Sequence, residues 1–466
     1  MSPHPEADAL ARFRAALYAT GLGRRKDSLF ETLDAVLTGG GPRTLARLSL
    51  APAFRRGWAS VPDALAAGEV HPDAVRALLV RTLPAVPSGD LLRPLWVVDG
   101  STWPRPEART SPERTYCHRV TAGVPQRGIV AGWEYQWLVA VPEAQGSWIL
   151  PLDVTRRPPP AAPPPAGTAA TPTLLAIRQV RAALAVSPAA AARPVATLDS
   201  GYDPVGLARA QQEPAGLAAD VLVRLAAHRV LYRAPGPYAG AGRPRRHGAV
   251  FRCKAPTTHG PPDRAATLDH PEYGTVVVRA WEALHPRRAP DVPFTVVQVQ
   301  VGRLPRRARP PAPLWLAWVG GPLPADLHLV WRWYLRRFTV EHGLRFCKQA
   351  LGWTTVRPRA PAAADRWTWR IALVFWQLWL ARPVVAAQRL PWEPPHPPDR
   401  LSPGRVRRAA AGHFVQVGTP ARPPKLRGKS PGRRRGQTPG SHPHCAVVRR
   451  TPKRPKPRRK RRPTPA

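Results

Sequence analysis

Acidic residues are scarce in this sequence: 29 Asp and Glu stand against 71 Lys and Arg in 466 residues, a formal net charge of +42. A compact protein with that charge cannot work alone, because its self-repulsion must be offset by a polyanion or confined to segments outside the core. Nucleic acid is the first candidate partner, and an anionic membrane is the second. Arginine greatly outnumbers lysine, and alanine and proline are abundant, so we attribute part of the charge to genomic base composition.

Long apolar runs and paired cysteines are also missing. No apolar stretch reaches the ~18 to 20 residues that a membrane span needs. The first ten residues carry Glu6 and Asp8 in place of the basic and then apolar run of a signal peptide. The four cysteines form no CxxC pair, which argues against a zinc ribbon or a disulfide framework. We therefore expect a protein of the reducing cytoplasm with no membrane role.

The chain is long enough for roughly two to four domains. In its first part, apolar residues recur at spacings of three and four within 9–17 and 29–37, which predicts amphipathic helices. This N-terminal helical region is either a small packing domain or a module that recognises DNA ends. The sequence favours neither reading.

From about residue 93, short apolar runs bounded by Gly and Pro predict the strands of a mixed α/β sheet. The runs lie at 95–98, 128–131, 135–141, 148–150, 195–198 and 221–225. A helix is predicted at about 173–184, after a proline-rich exposed loop at 158–172, and a basic Gly/Pro loop surrounds 242–246. A second strand-rich block follows at about 250–319, and helical periodicity returns at 325–350 and 365–381.

These features predict five segments. They are an N-terminal helical region (1–88), the first part of a catalytic domain (89–248), a β-rich insertion (249–321), the second part of the catalytic domain (322–390) and a disordered Pro/Arg-rich basic tail (391–466). No acidic residue follows Asp399, and such a tail has little apolar surface to bury.

Two acidic residues share a local pattern. Asp99 closes the apolar run 95–98, and Asp199 closes the run 195–198. A carboxylate at the C-terminal end of a buried strand is held rigidly and faces a cleft, which suits the binding of a divalent metal. The alternative is an aspartate that merely begins a turn, and this accounts for about half of such cases.

A third acidic residue belongs to a more specific pattern. Tyr334, Arg337, Glu341 and Lys348 lie at offsets of three, seven and fourteen. At about 100° per residue they fall within roughly 60° of one another on one helix face. The alternative is a solvated face with Arg–Glu and Glu–Lys pairing, but apolar residues such as Trp333 surround the stripe and argue against full solvation.

The spacing Tyr-(2)-Arg-(3)-Glu-(6)-Lys resembles the complete YREK signature of DDE-type transposases from bacterial insertion sequences. The resemblance covers about residues 93 to 381. It implies a ribonuclease-H-like catalytic domain, a mixed sheet flanked by helices. In that domain the first Asp lies on the first strand, the second follows the fourth strand, and the Glu lies on a later helix after a β-rich insertion. Asp99, Asp199 and Glu341 occur in that order.

The resemblance also implies the chemistry. Asp99, Asp199 and Glu341 would bind two Mg²⁺ or Mn²⁺ ions for in-line displacement at phosphorus, with water or a DNA 3′-hydroxyl as nucleophile. Tyr334 and the two basic residues of the signature would hold backbone phosphates. The expected partners are double-stranded DNA, as element ends and as target, and a second copy of the chain, as a homodimer in a synaptic complex. The expected location is the bacterial cytoplasm, in association with the nucleoid.

Three further features have weaker support. Arg224 ends a predicted strand after the second aspartate, which makes it a candidate phosphate contact. Trp315 or Trp318 is a candidate platform for a flipped base, although core packing is the better interpretation for any one of 17 Trp. The His and Cys residues at 442–445 lack a fourth metal ligand at standard spacing, so chance explains them better.

Two other functions remain open. One is a nuclease or resolvase of the same fold that cuts DNA without joining strands, which would not require the YREK face. The other is a non-enzymatic basic DNA-binding protein from a decayed element. The basic tail is expected to bind DNA without sequence preference, unless it is a read-through end with no selected role.

Overall fold

A computed structural model describes residues 5–40, 44–85, 93–119, 128–159, 171–187, 192–305 (except 239 and 241–242), 311–425 (except 387), 436 and 440–448. The helices in these ranges are α1 (Pro5–Ala16), α2 (Lys26–Thr38), α3 (Leu45–Ser49), α4 (Ser60–Ala67), α5 (Pro72–Arg81), α6 (Pro172–Leu184), α7 (Pro204–Gln212), α8 (His328–Arg336), α9 (Thr339–Gln349), α10 (Pro361–Ala381) and α11 (Pro403–Val417).

The strands are β1 (Leu95–Pro104), β2 (Thr115–Arg119), β3 (Gly128–Val141), β4 (Leu150–Arg156), β5 (Val195–Leu198), β6 (Asp220–Leu225), β7 (Val230–Tyr232), β8 (Val250–Arg252), β9 (Arg264–His270), β10 (Gly274–Leu284), β11 (Phe294–Val301) and β12 (Leu314–Val319). The mixed α/β class predicted from the sequence is confirmed.

One large sheet organises the molecule. Its order is β2-β3-β1-β5-β6-β12-β11-β10-β9, and β4 pairs with β3. The ladders β1–β5 and β5–β6 are parallel, and the other ladders are antiparallel. The strand-rich block predicted as an insertion continues this sheet, because β12 pairs with β6 through Val223 and Ala317. The insertion therefore extends the same sheet from which Asp99 and Asp199 project.

Helices α6 and α7 pack against β3 and β12, whereas α8 and α9 contact β5 and β1. The N-terminal helices form as expected, with a short π-helix at Leu17–Gly21. They share a core with α10, against which α1, α2 and α4 pack. The Phe13 ring, for example, stacks on Trp376 at 6.2 Å between centroids. The boundary of a separate domain at residue 88 stays a prediction.

The prediction of one continuous helix over 325–350 is wrong at residues 337 and 338. Helix α8 ends at Arg336, and α9 begins at Thr339. At the junction, the Arg337 and Phe338 amides bond to the carbonyls three residues earlier, at 3.1 Å each. That tighter pattern is typical of a 3₁₀ turn. The backbone stays in the right-handed helical region. The helix therefore narrows by a tighter turn at this point, and the chain keeps its direction.

The prediction of disorder from residue 391 onward is wrong for its first part. Helix α11 packs against α2 and α10 and buries Val406, Ala410 and Phe414. Their spacing of four residues supplies the apolar stripe that the overall basic composition concealed. The Arg14 guanidinium fixes the end of this helix by donating to the Gly418 carbonyl at 2.7 Å.

Some sequence predictions fall outside the described residues: most of the proline-rich loop (160–170) and the basic tail at 426–435 and 449–466. In the described part of the chain, no helix is both long and apolar enough to cross a membrane.

Candidate active site

The two predicted aspartates meet at one edge of the parallel part of the sheet. Asp199 directly follows β5, as predicted. The prediction that Asp99 ends its strand is wrong, because β1 continues to Pro104 along the long strand β3. Its parallel ladder with β5, however, stops at the pair Val98 and Leu198. Both aspartates are therefore the first residues beyond the same ladder, which places them side by side.

Asp99 is confined and surrounded by charge. Its side chain is 15% exposed; Oδ1 accepts the Gly100 amide at 2.8 Å, and Oδ2 lies 3.3 Å from Nη1 of Arg337. Burial raises the pKa of Asp99 to about 6; Arg337 opposes the rise, and Asp199 and Glu341 add to it. Asp199 and Glu341 are thus both close enough to Asp99 to disfavour its charge.

Asp199 sits at the start of a tightly bonded turn. Its Oδ1 accepts the Gly201 amide at 2.8 Å. Asp203 then caps α7 by accepting the Val205 and Gly206 amides. Between them, Tyr202 is buried with 3% exposure. The turn therefore holds the half-buried Asp199 carboxylate in place, close enough to Asp99 to raise its pKa.

The predicted phosphate-binding residues converge on the aspartates. Tyr334 is 1% exposed and Arg337 6%, and the Arg337 Cζ lies 5.7 Å from the Tyr334 ring centroid. Burial raises the pKa of Tyr334, while Arg337 and Arg224 oppose the rise, which places Arg224 nearby. The Tyr334 hydroxyl interacts with the Arg337 guanidinium, but neither the hydroxyl proton nor the buried Arg337 Nε has a hydrogen-bond acceptor among the described residues. Buried donors without partners are costly, and a bound phosphate would satisfy them.

The other two residues of the signature lie on α9. Glu341 is 53% exposed in its first turn, 4.0 Å from Nη2 of Arg337. Gly343 permits close packing of this helix, because a Cβ there would lie 2.3 Å from Cδ1 of Ile149. Lys348 is half-buried, with Nζ 5.7 Å from the Trp353 ring centroid. Burial lowers the pKa of Lys348, and Cys347 and Asp99 oppose that change.

The carboxylate set fits a divalent cation in its chemistry. Oxygen donors from Asp and Glu are what Mg²⁺ and Mn²⁺ prefer, and a cation would offset both the burial and the repulsion by Asp199 and Glu341 that raise the Asp99 pKa. In the described ranges, no three His, Cys, Asp or Glu side chains are close enough together to hold an ion. Glu341 therefore stands apart from a chelating arrangement with the two aspartates.

The candidate base platforms lie in the core. Trp315 is 3% exposed and Trp318 is 2% exposed. Trp315 packs against Phe251 and Trp281, and Trp318 stacks on Trp333 at 6.0 Å. This arrangement agrees with the core-packing interpretation. A base-stacking role would require either ring to leave its neighbours.

A separate polar cleft of about 570 Å³ lies between α5, β4, α6 and α10. Its carboxylates are already engaged: Asp153 pairs with Arg76, and Asp365 pairs with Arg156. The aspartates of the site do not line it. We therefore place the chemistry at the sheet edge.

Sequence reasoning missed one residue at this edge. The Arg157 guanidinium packs against Gly100, the residue after Asp99, and donates to the Tyr202 hydroxyl at 3.0 Å. It stands directly before three prolines, where no periodic or apolar pattern distinguishes it. Only the pairing of β4 with β3 brings it to the site.

The family of the chain follows from comparison with known proteins. A family model described as "DDE superfamily endonuclease" matches residues 17–287, more than half of the sequence. A comparison with curated proteins finds no match. The chain belongs to the DDE superfamily endonucleases. It is accordingly a nucleic-acid-cleaving enzyme of the endonuclease and transposase type, with DNA as substrate and a divalent metal as cofactor. The match includes both aspartates and ends before α8 and α9.

Proposed function

We propose that the chain is a DNA transposase that cleaves the ends of an insertion sequence and joins them to target DNA. The observation that carries the proposal is the contact between Arg337 and Asp99, 3.3 Å apart and 238 residues distant in sequence. The YREK spacing and the first aspartate come from independent sequence patterns. A catalytic arrangement requires these two patterns to meet at one site. A solvated helix face would not bring Arg337 into contact with Asp99.

Asp99, Asp199 and Glu341 would hold the metal, in a set of two Mg²⁺ or Mn²⁺ ions, and Glu341 would have to approach the two aspartates from its exposed position on α9 to join them. When bound, the ions supply activation of the attacking oxygen and stabilisation of the leaving oxygen. The protein residues would contribute by holding the metal ligands in position. The parallel ladder fixes the two aspartates side by side, and Glu341 lies one helical turn beyond Arg337.

Tyr334 and Arg337 would bind the phosphates next to the scissile bond. Their unpartnered buried donors offer a neutral hydroxyl and a fixed guanidinium, and the guanidinium also holds the Asp99 carboxylate. Arg224, which is exposed on β6, and Lys348 would contact further phosphates along the DNA strand. Phosphate contacts set register and orientation on DNA without reading sequence.

Other segments would recognise DNA and assemble the complex. The N-terminal helices would recognise the element ends, and two copies would act together in a synaptic complex. The basic loop at 243–246 and the basic tail would add affinity that depends on salt and not on sequence. Their surplus of arginine supports this assignment.

The decisive experiment uses supercoiled plasmid that carries the flanking ends of the element, with Mg²⁺ or Mn²⁺ and a second plasmid as target. Wild type is compared with Asp99→Asn and Glu341→Gln. Glu282→Gln is the matched control, because Glu282 is an exposed residue of β10. We expect cutting at the ends and strand transfer in wild type and in the control, and loss of both in each site variant.

Two outcomes would contradict the proposal. Cutting without joining under all conditions would favour a nuclease or resolvase. DNA binding that is sensitive to salt, with no cleavage and no change on either substitution, would indicate a basic DNA-binding protein.

A further inference from the structure

Arg157 lies directly after β4, and its guanidinium packs against Gly100, the residue that follows the first aspartate. A Cβ at that glycine would lie 3.0 Å from Nη2 and 3.2 Å from both Cζ and Nη1. A side chain at position 100 would therefore force the guanidinium to shift. The contact brings a rigid planar cation against the residue that follows Asp99, and no described ion pair joins Arg157 to that carboxylate.

All three guanidinium nitrogens are engaged. Nη2 donates to the Tyr202 hydroxyl at 3.0 Å, Nε to Gln136 Oε1 at 3.1 Å, and Nη1 to Glu134 Oε1 at 2.6 Å. Tyr202 belongs to the turn that Asp199 begins. Because the guanidinium is a planar fork with fixed donor directions, it ties that turn to strand β3.

The strand contact completes the link to the first aspartate. Gln136 on β3 is the ladder partner of Gly100 on β1. One side chain, only 17% exposed, thus joins the backbone next to Asp99, the strand that pairs with it, and the turn after Asp199. A single guanidinium thus links the surroundings of both aspartates, in addition to the parallel ladder that places them side by side.

A series of buried hydrogen bonds holds Gln136, the acceptor of the Arg157 Nε, in place. The Gln136 amide donates to Gln179 Oε1 at 2.9 Å, and the Gln179 amide donates to Asp153 Oδ1 at 2.9 Å. These three residues are 0–1% exposed. Arg76 of α5 completes the chain by donating to Asp153 Oδ2 at 2.6 Å. A fully satisfied polar network of this kind specifies one arrangement.

We infer that Arg157 is a positioning residue that holds the Asp99 and Asp199 backbones at the separation needed to bind the metal. The inference rests on the proposed function of the carboxylate site. Residues behind metal ligands commonly change metal affinity by about 10- to 100-fold when removed. The effect of Arg157 is therefore expected in metal binding itself, before any DNA step.

The test measures Mn²⁺ binding to the full chain by electron paramagnetic resonance of free Mn²⁺, with no DNA present. We expect Arg157→Lys, which keeps the charge and loses the fork, to weaken Mn²⁺ binding by about 10-fold. Tyr202→Phe, which removes only the hydroxyl acceptor, should weaken it in the same direction. DNA affinity in chelator and the melting temperature should change little.

Arg156→Lys is the matched control. Arg156 precedes Arg157 in the chain, is 16% exposed, and forms ion pairs with Glu113 and Asp365 away from the site. Its substitution should leave Mn²⁺ affinity unchanged. If Arg157→Lys does not fold, Tyr202→Phe decides the question.

The inference is overturned if both Arg157→Lys and Tyr202→Phe bind Mn²⁺ as wild type does, or if Arg156→Lys weakens binding equally. A failure of the proposed function looks different: Asp99→Asn would then leave Mn²⁺ binding intact. That result would contradict both the proposed metal site and the inference about Arg157, which depends on it.

Discussion

Asp99 should make the folded protein less stable at neutral pH, so replacing it with asparagine should stabilise the fold while it abolishes activity. Burial, together with Asp199 and Glu341, raises the pKa of Asp99 from 3.8 to about 6 despite Arg337. At about 1.4 kcal/mol per pH unit, ionising this group in the fold costs about 3 kcal/mol. Function therefore requires a carboxylate that the fold disfavours.

The sign of the pH dependence follows from the raised pKa. Between about pH 3.8 and 6, the folded chain holds the Asp99 proton while the unfolded chain has released it. This contribution to stability therefore falls as the pH rises through that window. Below it Asp99 is neutral in both states, and above it the full cost applies.

The assay is urea denaturation followed by tryptophan fluorescence, in chelator, at pH 7.5 and near pH 4. At pH 7.5 we expect the free energy of unfolding of Asp99→Asn to exceed that of wild type by up to about 3 kcal/mol, with part of the gain offset by the weakened contact with Arg337. Near pH 4, close to the lower end of the window, the difference should shrink to less than about 1 kcal/mol. Asp291→Asn, at an exposed position, is the control and should show neither effect. An asparagine variant less stable than wild type, by an amount independent of pH, would refute the reasoning.

Three other predictions concern the packing and charge of the chain. Arg370 is 1% exposed, and its three guanidinium nitrogens have no described hydrogen-bond partner; Arg370→Met should therefore raise the free energy of unfolding by about 1–4 kcal/mol, and a loss in urea denaturation would contradict this. Phe414→Ala should cost about 3–5 kcal/mol if α11 is part of the core, whereas Val415→Ala, at a position 69% exposed, should change stability little. Replacing the three arginines within 243–246 by alanine should lower the slope of log K against log salt by about 0.9 for each lost phosphate contact, and an unchanged slope in DNA-binding titrations would exclude that loop.

The local pattern of the sequence determined most of the secondary structure. The run 195–198 is β5 to the residue, because four buried positions, three of them apolar, are ended by Asp199. Strands β11 and β12 likewise lie within the strand-rich block predicted at about 250–319. Residue spacing also identified Arg337 and Glu341 as a pair on one face, since the helical period survives the break between α8 and α9.

Tertiary structure decided the rest, because it depends on contacts between residues far apart in sequence. Asp99 lies within β1 and not at its end, since the long strand β3 continues to pair with it. Helix α11 folds where composition predicted disorder, since α2 and α10 bury its apolar stripe. Arg157 reaches the site only because β4 pairs with β3 and Gly100 leaves space for a guanidinium. Periodicity along the chain determines which elements form, and it carries no information about which side chains of different elements come into contact.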